Sequence, residues 1–197
     1  IRDGHRVYFY GTGSTGRLAE TLDSSLWRPF WERAASTPAW RKIERRLPGI
    51  TGRVRGEITG GDRALIASLE GFEDLQLIGR LQRQDNGIRR GDVVFAVTEG
   101  GETSAVIGTA KAGAELNGGR AGMTWFVYNN PDPVLLPFTR SREVIDDPRI
   151  DKINLATGPQ AITGSTAAAR ARASRNGSSH RSRYRTPSHS ITAHTAQ

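Results

Sequence analysis

The sequence predicts an α/β fold in which helices cover both faces of a central parallel sheet. Strand-like and helix-like segments alternate along the chain, which is typical of a doubly wound sheet. The run Val93–Val97 is apolar throughout, as expected of a central parallel strand, and Gly100, Gly101 and a helical pattern follow it. With 197 residues, the chain is long enough for one such domain with a buried core.

The first strand, loop and helix are predicted close to the start of the chain. Val7–Tyr10 is aromatic and β-branched and ends at Gly11, which indicates a short buried strand. After the loop, three leucines recur at helical spacing: Leu18, Leu22 and Leu26. We expect this helix to break at Pro29, because a proline inside a helix removes a backbone hydrogen bond.

The remaining elements follow from the same two periodicities and from turn residues. A basic surface helix is expected between a Ser36-Thr37-Pro38 start and a Pro48-Gly49 stop. The other predicted elements are, in order, a strand near residues 57–59, a helix containing Leu65, Ile66 and Leu69, a helix from about Thr103 to Leu116, and strands within GMTWFVYNN and DKINLATG. The carboxyl ends of such strands are where ligands bind in this class of sheet.

The composition changes sharply after Thr166. We predict one domain over residues 1–166 and a disordered basic tail over residues 167–197, which has almost no aliphatic side chains. The tail carries six arginines and no acid, and without it 22 basic residues face 20 acidic ones. The net charge of +8 therefore belongs mainly to the tail. A basic RNA-binding arm and out-of-frame translation after Thr166 are the alternatives.

The composition also argues against several kinds of site and partner. The chain has no cysteine, hence no disulfide, thiolate metal site or cysteine nucleophile, and His5 has no metal-ligand spacing around it. We expect no cofactor and no metal. No apolar run approaches the roughly 20 residues that cross a bilayer, and no signal peptide is recognised. These observations favour a cytoplasmic protein without a membrane partner, and the nearly neutral domain does not favour nucleic acid.

Three glycines in the first loop satisfy the dinucleotide fingerprint G-x-G-x-x-G: Gly11, Gly13 and Gly16. That fingerprint also requires an acidic residue about 20 positions later, at the end of the next strand. Position 36 is a serine, and the next predicted strand begins some 40 residues after Gly16, which is too late. The sequence therefore disfavours a nicotinamide site.

Three loops combine glycines with hydroxyl groups at the predicted carboxyl edge of the sheet. They contain Ser14 and Thr15, then Gly100, Gly101, Thr103 and Ser104, and finally residues 163–166. Backbone N–H groups and hydroxyls at a helix N-terminus bind anions, so the loops together indicate a phosphate with sugar hydroxyls. Taken singly, each loop is better explained as an ordinary turn or N-cap.

Four segments, in order, resemble the SIS (sugar isomerase) domain of the N-acetylmuramic acid 6-phosphate etherases and the glucokinase regulatory proteins. They are GTGSTGRL, ITGGDRALIASLEGFED, DVVFAVTEGGETSAVIGTA and GPQAITGST, and the resemblance spans about Val7 to Thr166. It implies a flavodoxin-like three-layer sandwich that binds a sugar phosphate. It also implies a tandem pair of SIS domains or a homodimer.

The resemblance also implies roles for particular residues. Glu73 matches a glutamate that reaches the sugar and would be the catalytic base if the chain is an enzyme. The sugar-phosphate-binding residues implied are Gly13, Ser14, Thr15, Gly16, Glu73, Gly100, Gly101, Thr103, Ser104, Gly164, Ser165 and Thr166.

Two departures from the etherase pattern bear on activity. Ser25 stands where the etherases have a second glutamate, and a serine is not an acid at neutral pH. Glu99 and Glu102 enter the second loop, where carboxylates repel a phosphate unless they face hydroxyls or a cation. We therefore expect carbohydrate-derivative binding in sensing, regulation or amino-sugar metabolism. The alternative is a carbon–oxygen lyase of the etherase type.

Aromatic residues accompany the basic segment before the second strand. Trp27, Trp31 and Trp40 lie among arginines and offer surfaces for stacking bases or clamping a sugar, although core or dimer packing is the simpler interpretation. Four basic residues of the predicted surface helix are interpreted as one solvated face: Arg41, Lys42, Arg45 and Arg46.

Overall fold

The computed structural model describes residues 3–66 and 71–158, apart from the side chain of Phe72. The strands in these ranges are β1 (Val7–Gly11), β2 (Val54–Ile58), β3 (Val93–Val97), β4 (Thr124–Tyr128) and β5 (Asp151–Asn154). The α-helices are α1 (Ser14–Thr21), α2 (Arg28–Ala35), α3 (Trp40–Arg46), α4 (Arg63–Ile66), α5 (Gln76–Asp85), α6 (Ser104–Leu116), α7 (Asp132–Leu135) and α8 (Thr139–Ile145).

The five strands form one parallel sheet in the order β2-β1-β3-β4-β5. This order is that of a flavodoxin-like sandwich, so the predicted fold class is confirmed. In the register, Gly11 lies beside both Ile58 and Val97, which aligns the carboxyl ends of β1, β2 and β3 at one edge. The strand order reverses between β1 and β3, where sheets of this kind bind ligands.

Helices pack on both faces of the sheet. On one face α1 packs on β1 and β2, where Gly16 lies against Ile58 and Gly56 against the backbone of Ala19. On the other face α6 packs on β3 and β4, and α5 packs on α6. The main core lies on the α6 side and contains Ala96, Val106, Ile107, Ala110, Ala114, Phe126, Tyr128, Leu135, Val144 and Ile150.

The helical stretch after the first loop does not break at Pro29, so that prediction is wrong. A π-helical segment, Leu22–Trp27, joins α1 directly to α2, and Pro29 occupies the first turn of α2. Proline is tolerated in the first turn of an α-helix, which is where Pro29 stands. The chain therefore remains helical through residue 35.

Other boundaries differ in smaller ways. The second strand begins at Val54, earlier than predicted, while the basic surface helix is present as α3. Helix α4 contains Leu65 and Ile66, and Leu69 lies outside the described residues. The sequence did not predict α5, α7 or α8. No helix within residues 3–66 and 71–158 is both long and apolar enough to cross a membrane.

The chain divides into a unit Ile1–Ala156, to which this fold belongs, and a unit Thr157–Gln197. Most of the second unit lies outside the described residues, and so does the predicted boundary at residue 166. That boundary and the disordered tail remain predictions.

Candidate functional site

Two of the three predicted loops meet at the point where the strand order reverses. One follows β1 and opens α1, and the other follows β3 and opens α6. Since β1 and β3 are neighbours and the two helices lie on opposite faces, the two loops lie side by side at the carboxyl edge of the sheet, where sheets of this kind bind ligands. The third loop, containing Gly164, Ser165 and Thr166, lies outside the described residues and remains a prediction.

The loop after β1 is held in shape by Thr15. Its side-chain hydroxyl donates to the carbonyl oxygen of Thr12 at 2.8 Å and accepts from the Thr12 N–H at 3.2 Å. Thr15 is buried, whereas Ser14, the first residue of α1, is half-buried. The geometry therefore gives Thr15 a bracing contact within the loop and places Ser14 nearer the surface.

The three glycines of this loop have separate steric causes. A Cβ atom at Gly16 would overlap the side chain of Ile58, and one at Gly11 would overlap the backbone of Thr15. Gly13 has φ of 55°, in the left-handed region that favours glycine. The spacing G-x-G-x-x-G thus follows from a tight turn and from close packing of α1 on β2.

Sequence reasoning missed a chain of hydroxyl groups next to this loop. The hydroxyl oxygens of Thr12 and Thr59 lie 2.7 Å apart, and the Thr59 hydroxyl donates to the carbonyl oxygen of Gly11 at 3.2 Å. If Thr59 donates to Gly11, then Thr12 donates to Thr59, and the Thr12 oxygen keeps lone pairs for another donor. The available signal was that Thr12 and Thr59 each directly follow a strand.

The loop after β3 repeats this arrangement. Thr98 directly follows the strand, and its hydroxyl lies 3.0 Å from that of Thr103, the N-cap residue of α6. The Gly101 N–H points at the Thr98 oxygen from 3.4 Å. Gly101 has φ of 88°, and a Cβ there would contact Leu135. Ser104 opens α6 and is 7% exposed, and Gly100 is half-buried.

Glu102, an acidic residue of the second loop, is paired with a cation. Arg140 of α8 donates to the carboxylate of Glu102 at 3.0 Å. Ser141 also donates to the carbonyl oxygen of Gly101 at 2.9 Å, which ties the loop to α8. The ion pair reduces the repulsion that Glu102 would exert on a bound phosphate.

Glu73 is exposed and lies in a short 3₁₀ turn, Phe72–Asp74, immediately before α5. The turn packs against α6, the helix that the second loop opens. Ser25 is exposed in the π-helical segment. The role of Glu73 as the base of the site therefore remains a prediction.

Glu57 carries a half-buried carboxyl group that sequence reasoning did not single out. Burial is the main cause that raises its pKa to about 7, while Arg55 and a hydrogen bond with Asn86 oppose the shift. Glu57 pairs in register with Tyr10, whose pKa burial also raises, and Asn86 donates to the Tyr10 hydroxyl at 2.6 Å. This polar cluster lies beneath the end of α5, on the face of the sheet away from α1.

Within the described part of the chain, no group of three or more histidine, cysteine, aspartate or glutamate residues could hold a metal ion.

The sequence is similar to several proteins named N-acetylmuramic acid 6-phosphate etherase. The protein of that name from Deinococcus radiodurans is 32% identical over 166 residues, which cover 84% of this chain and 44% of the relative. Those from Parasynechococcus marenigrum and Yersinia pestis are 30% identical, and the matches cover 84% of this chain and 43% and 46% of the relatives, respectively.

The chain thus spans less than half the length of the curated relatives it matches. No family model matches it. Over most of its own length, the chain is related in sequence to proteins that carry the etherase name.

Proposed function

We propose that this chain binds a phosphorylated sugar or amino sugar in the crevice between the loops that follow β1 and β3. The observation that carries the proposal is the meeting of two glycine and hydroxyl loops, each opening a helix, where the strand order reverses. N-terminal helix ends attract the phosphate, and neighbouring threonine hydroxyls suit the sugar.

Each predicted loop residue takes a part in this proposal. Ser14 and the backbone at Gly13 face the phosphate from α1, with Thr15 and Gly16 shaping the turn. Gly100, Gly101, Thr103 and Ser104 are proposed to form the opposite wall, and Gly164, Ser165 and Thr166 stay in the proposed set of ligand-binding residues. Glu73 is proposed to reach the sugar.

The relatives' names support an amino-sugar phosphate as the ligand class, with N-acetylmuramic acid 6-phosphate as the first compound to test. The same proposal includes a role in sensing, regulation or amino-sugar metabolism. It also includes a cytoplasmic location and pairing as a homodimer or tandem SIS unit.

Thermal unfolding with a panel of sugars tests the binding proposal. Ligand at about 100 times its dissociation constant stabilises the folded state by about 2.7 kcal/mol, which raises Tm by several degrees. We expect this with N-acetylmuramic acid 6-phosphate, glucosamine 6-phosphate or fructose 6-phosphate, and not with the unphosphorylated sugars. Ser14→Ala should reduce the shift, whereas Ser36→Ala, at an exposed serine of the α2–α3 turn, should not. A folded chain that responds to none of these phosphates contradicts the proposal.

The second candidate is etherase activity, which the relatives' names favour. Elimination of lactate needs a base and an acid on the two sides of the sugar. Glu73 is the proposed base, and Ser25 leaves the acid unassigned, which is why binding is preferred. Release of lactate from N-acetylmuramic acid 6-phosphate, lost in Glu73→Gln, would establish turnover, and binding without release would leave the sensor role.

A further inference from the structure

Positive charge is concentrated in one part of the domain. Residues 28–55 contain eight lysines and arginines and two glutamates, whereas the rest of residues 1–166 contains 14 basic and 18 acidic residues. The domain is nearly neutral as a whole, and this segment is strongly cationic.

The outer face of α3 is entirely basic. It consists of exposed Arg41, Lys42, Arg45 and Arg46, and within the described residues none of the four forms an ion pair. The one carboxylate on the helix, Glu44, accepts from the N–H of Gly49 at 3.0 Å. Like charges one turn apart destabilise a helix by about 0.2–0.5 kcal/mol per pair, and a polyanion would relieve that cost.

A cleft of about 350 Å³ adjoins this helix. It is lined by Asp23, Arg28, Trp31, Glu32, Ala35, Thr51, Gly52, Val54 and Arg55. Ala35 ends α2 and Thr51 precedes β2, so the cleft borders the residues on both sides of α3. The ring of Trp40, the first residue of α3, contacts the ring of Trp31 in the cleft wall, so α3 begins beside the cleft.

Trp31 gives the cleft a firmly held aromatic wall. Its ring packs against Phe30, Trp27 and Trp40 with centroids 4.9, 5.4 and 6.2 Å away. These contacts agree with the packing role expected for the tryptophans, and they also fix the ring in place at the cleft. A fixed ring is a stacking platform that loses little freedom when a ligand binds.

The charged lining of the cleft contains both donors and an acceptor. Arg55 is half exposed, and its nearest carboxylate, that of Glu57, is 4.0 Å away. Asp23 is neutralised by Arg28 at 2.9 Å, which leaves the exposed Glu32 as an acceptor at the rim. Guanidinium groups suit phosphate oxygens, and a carboxylate suits the amino group of a base.

We propose that this surface binds single-stranded nucleic acid, with phosphates along the basic face of α3 and one base in the cleft against Trp31. A cationic track next to an aromatic platform is the usual arrangement for single strands. An anionic membrane fits less well, because α3 presents no exposed apolar residue to insert and a flat surface leaves the cleft empty. The cleft lies at the amino end of β2, and the sugar-phosphate crevice lies at the carboxyl ends, so the two proposals are independent.

Fluorescence anisotropy of the full chain with a labelled mixed-sequence single-stranded DNA of about 12 nucleotides tests the proposal. The variant Arg41→Gln/Lys42→Gln/Arg45→Gln/Arg46→Gln removes the α3 charges. The matched control Arg170→Gln/Arg172→Gln/Arg175→Gln/Arg181→Gln removes the same charge from the C-terminal segment. In the α3 variant we expect the affinity to be at least about tenfold weaker. The slope of log K against log salt concentration should also be shallower by about 3, because each lost phosphate contact contributes about 0.7.

A second readout separates base stacking from plain charge attraction. The unlabelled strand should quench tryptophan fluorescence in the wild type and much less in Trp31→Phe, whose fold is checked by circular dichroism. Preference for the single strand over its duplex and over phosphatidylserine vesicles is expected. The proposal is overturned if the chain does not bind the single strand, or if the control variant loses as much affinity as the α3 variant or more. Equal affinity for the duplex or the vesicles, or unchanged quenching in Trp31→Phe, would also overturn it.

Discussion

Gly108 of α6 lies so close to the carbonyl oxygen of Gln76 in α5 that a Cβ atom at position 108 would overlap it. Gly79 of α5 has the same relationship to the carbonyl oxygen of Ala105. The two glycines let the helix backbones pack against each other directly. This crossing holds the start of α6, and with it the second loop of the candidate site.

Gly108→Ala should destabilise the domain. Separating the helices to admit a methyl group costs about 1–3 kcal/mol, more than the helix-propensity gain of up to about 1 kcal/mol. Urea unfolding followed by circular dichroism measures the difference. Gly52→Ala is the matched control, because its Cβ would meet nothing within 4 Å. Equal unfolding midpoints for wild type and Gly108→Ala would show that the crossing is looser than described.

Asp23 and Arg28 form an ion pair whose two members differ in exposure. The guanidinium donates to both carboxylate oxygens at 2.9 and 3.0 Å, and the Gly56 N–H approaches from 3.4 Å. The side chain of Asp23 is 3% exposed and that of Arg28 is 53% exposed. Loss of the arginine therefore leaves a buried charge, whereas loss of the aspartate leaves a solvated one.

Arg28→Gln should cost on the order of 2 kcal/mol at neutral pH, more than Asp23→Asn. Burial acts to raise the pKa of Asp23, but hydrogen bonds from Arg28 and the Gly56 N–H outweigh it and lower the pKa below 3.8. A carboxyl group with a lowered pKa stabilises the fold at any pH above the pKa that it has in the unfolded chain. This contribution is lost as the pH falls through the pKa that the group has in the folded protein. The difference in unfolding free energy between wild type and Arg28→Gln should thus become smaller below about pH 4. Urea unfolding over a pH series tests this, and a gap that widens in acid would contradict it.

Glu57 should make stability depend on pH in the opposite direction. Its pKa is raised, mainly by burial, from 4.5 to about 7, so the folded state binds the proton more tightly than the unfolded state. The contribution of protonated Glu57 to the unfolding free energy is fully present below about pH 4.5, and it is lost as the pH rises through 7. Glu57→Gln should therefore be more stable than wild type at pH 8, by on the order of 2 kcal/mol, and similar to it at acid pH.

Glu143 is the control for Glu57. A hydrogen bond from Lys111 lowers its pKa, so Glu143→Gln should lose stability at pH 8 where Glu57→Gln gains it. If both variants shift in the same direction, a general charge effect explains the result instead of burial at Glu57.

The central strands β1, β3 and β4 were predictable from the sequence because strands in the middle of a parallel sheet are short apolar runs. Val93–Val97 has the predicted bounds in the structure. Helix α5 was missed because its leucines do not mark its buried face. Leu77 and Leu81 are 59% and 45% exposed, and the buried residue is Gly79.

In α1, too, a leucine does not mark the buried face of the helix. Leu18 is 47% exposed, while Thr15, Gly16 and Ala19 are buried, because small residues bring this helix close to the sheet. The glycine and hydroxyl pattern predicted that the two loops lie at one edge of the sheet, and in the structure they are neighbours there. The contact between Thr12 and Thr59 spans 47 positions and depends on strand pairing, which a single sequence does not specify.

The last prediction concerns Thr12 and depends on the proposed sugar-phosphate site. If its oxygen accepts a hydrogen bond from a sugar hydroxyl, Thr12→Val should weaken binding about fivefold to tenfold, the effect of one neutral hydrogen bond of about 1 kcal/mol. Thr12→Ser keeps the hydroxyl and should bind nearly as the wild type does. Calorimetric titration with the sugar phosphate that gives the largest thermal shift measures both variants. Inorganic phosphate should bind all three proteins alike, because it offers no sugar hydroxyl. Equal affinity of Thr12→Val and wild type for the sugar phosphate would remove Thr12 from the site while leaving the loop backbone as the phosphate ligand.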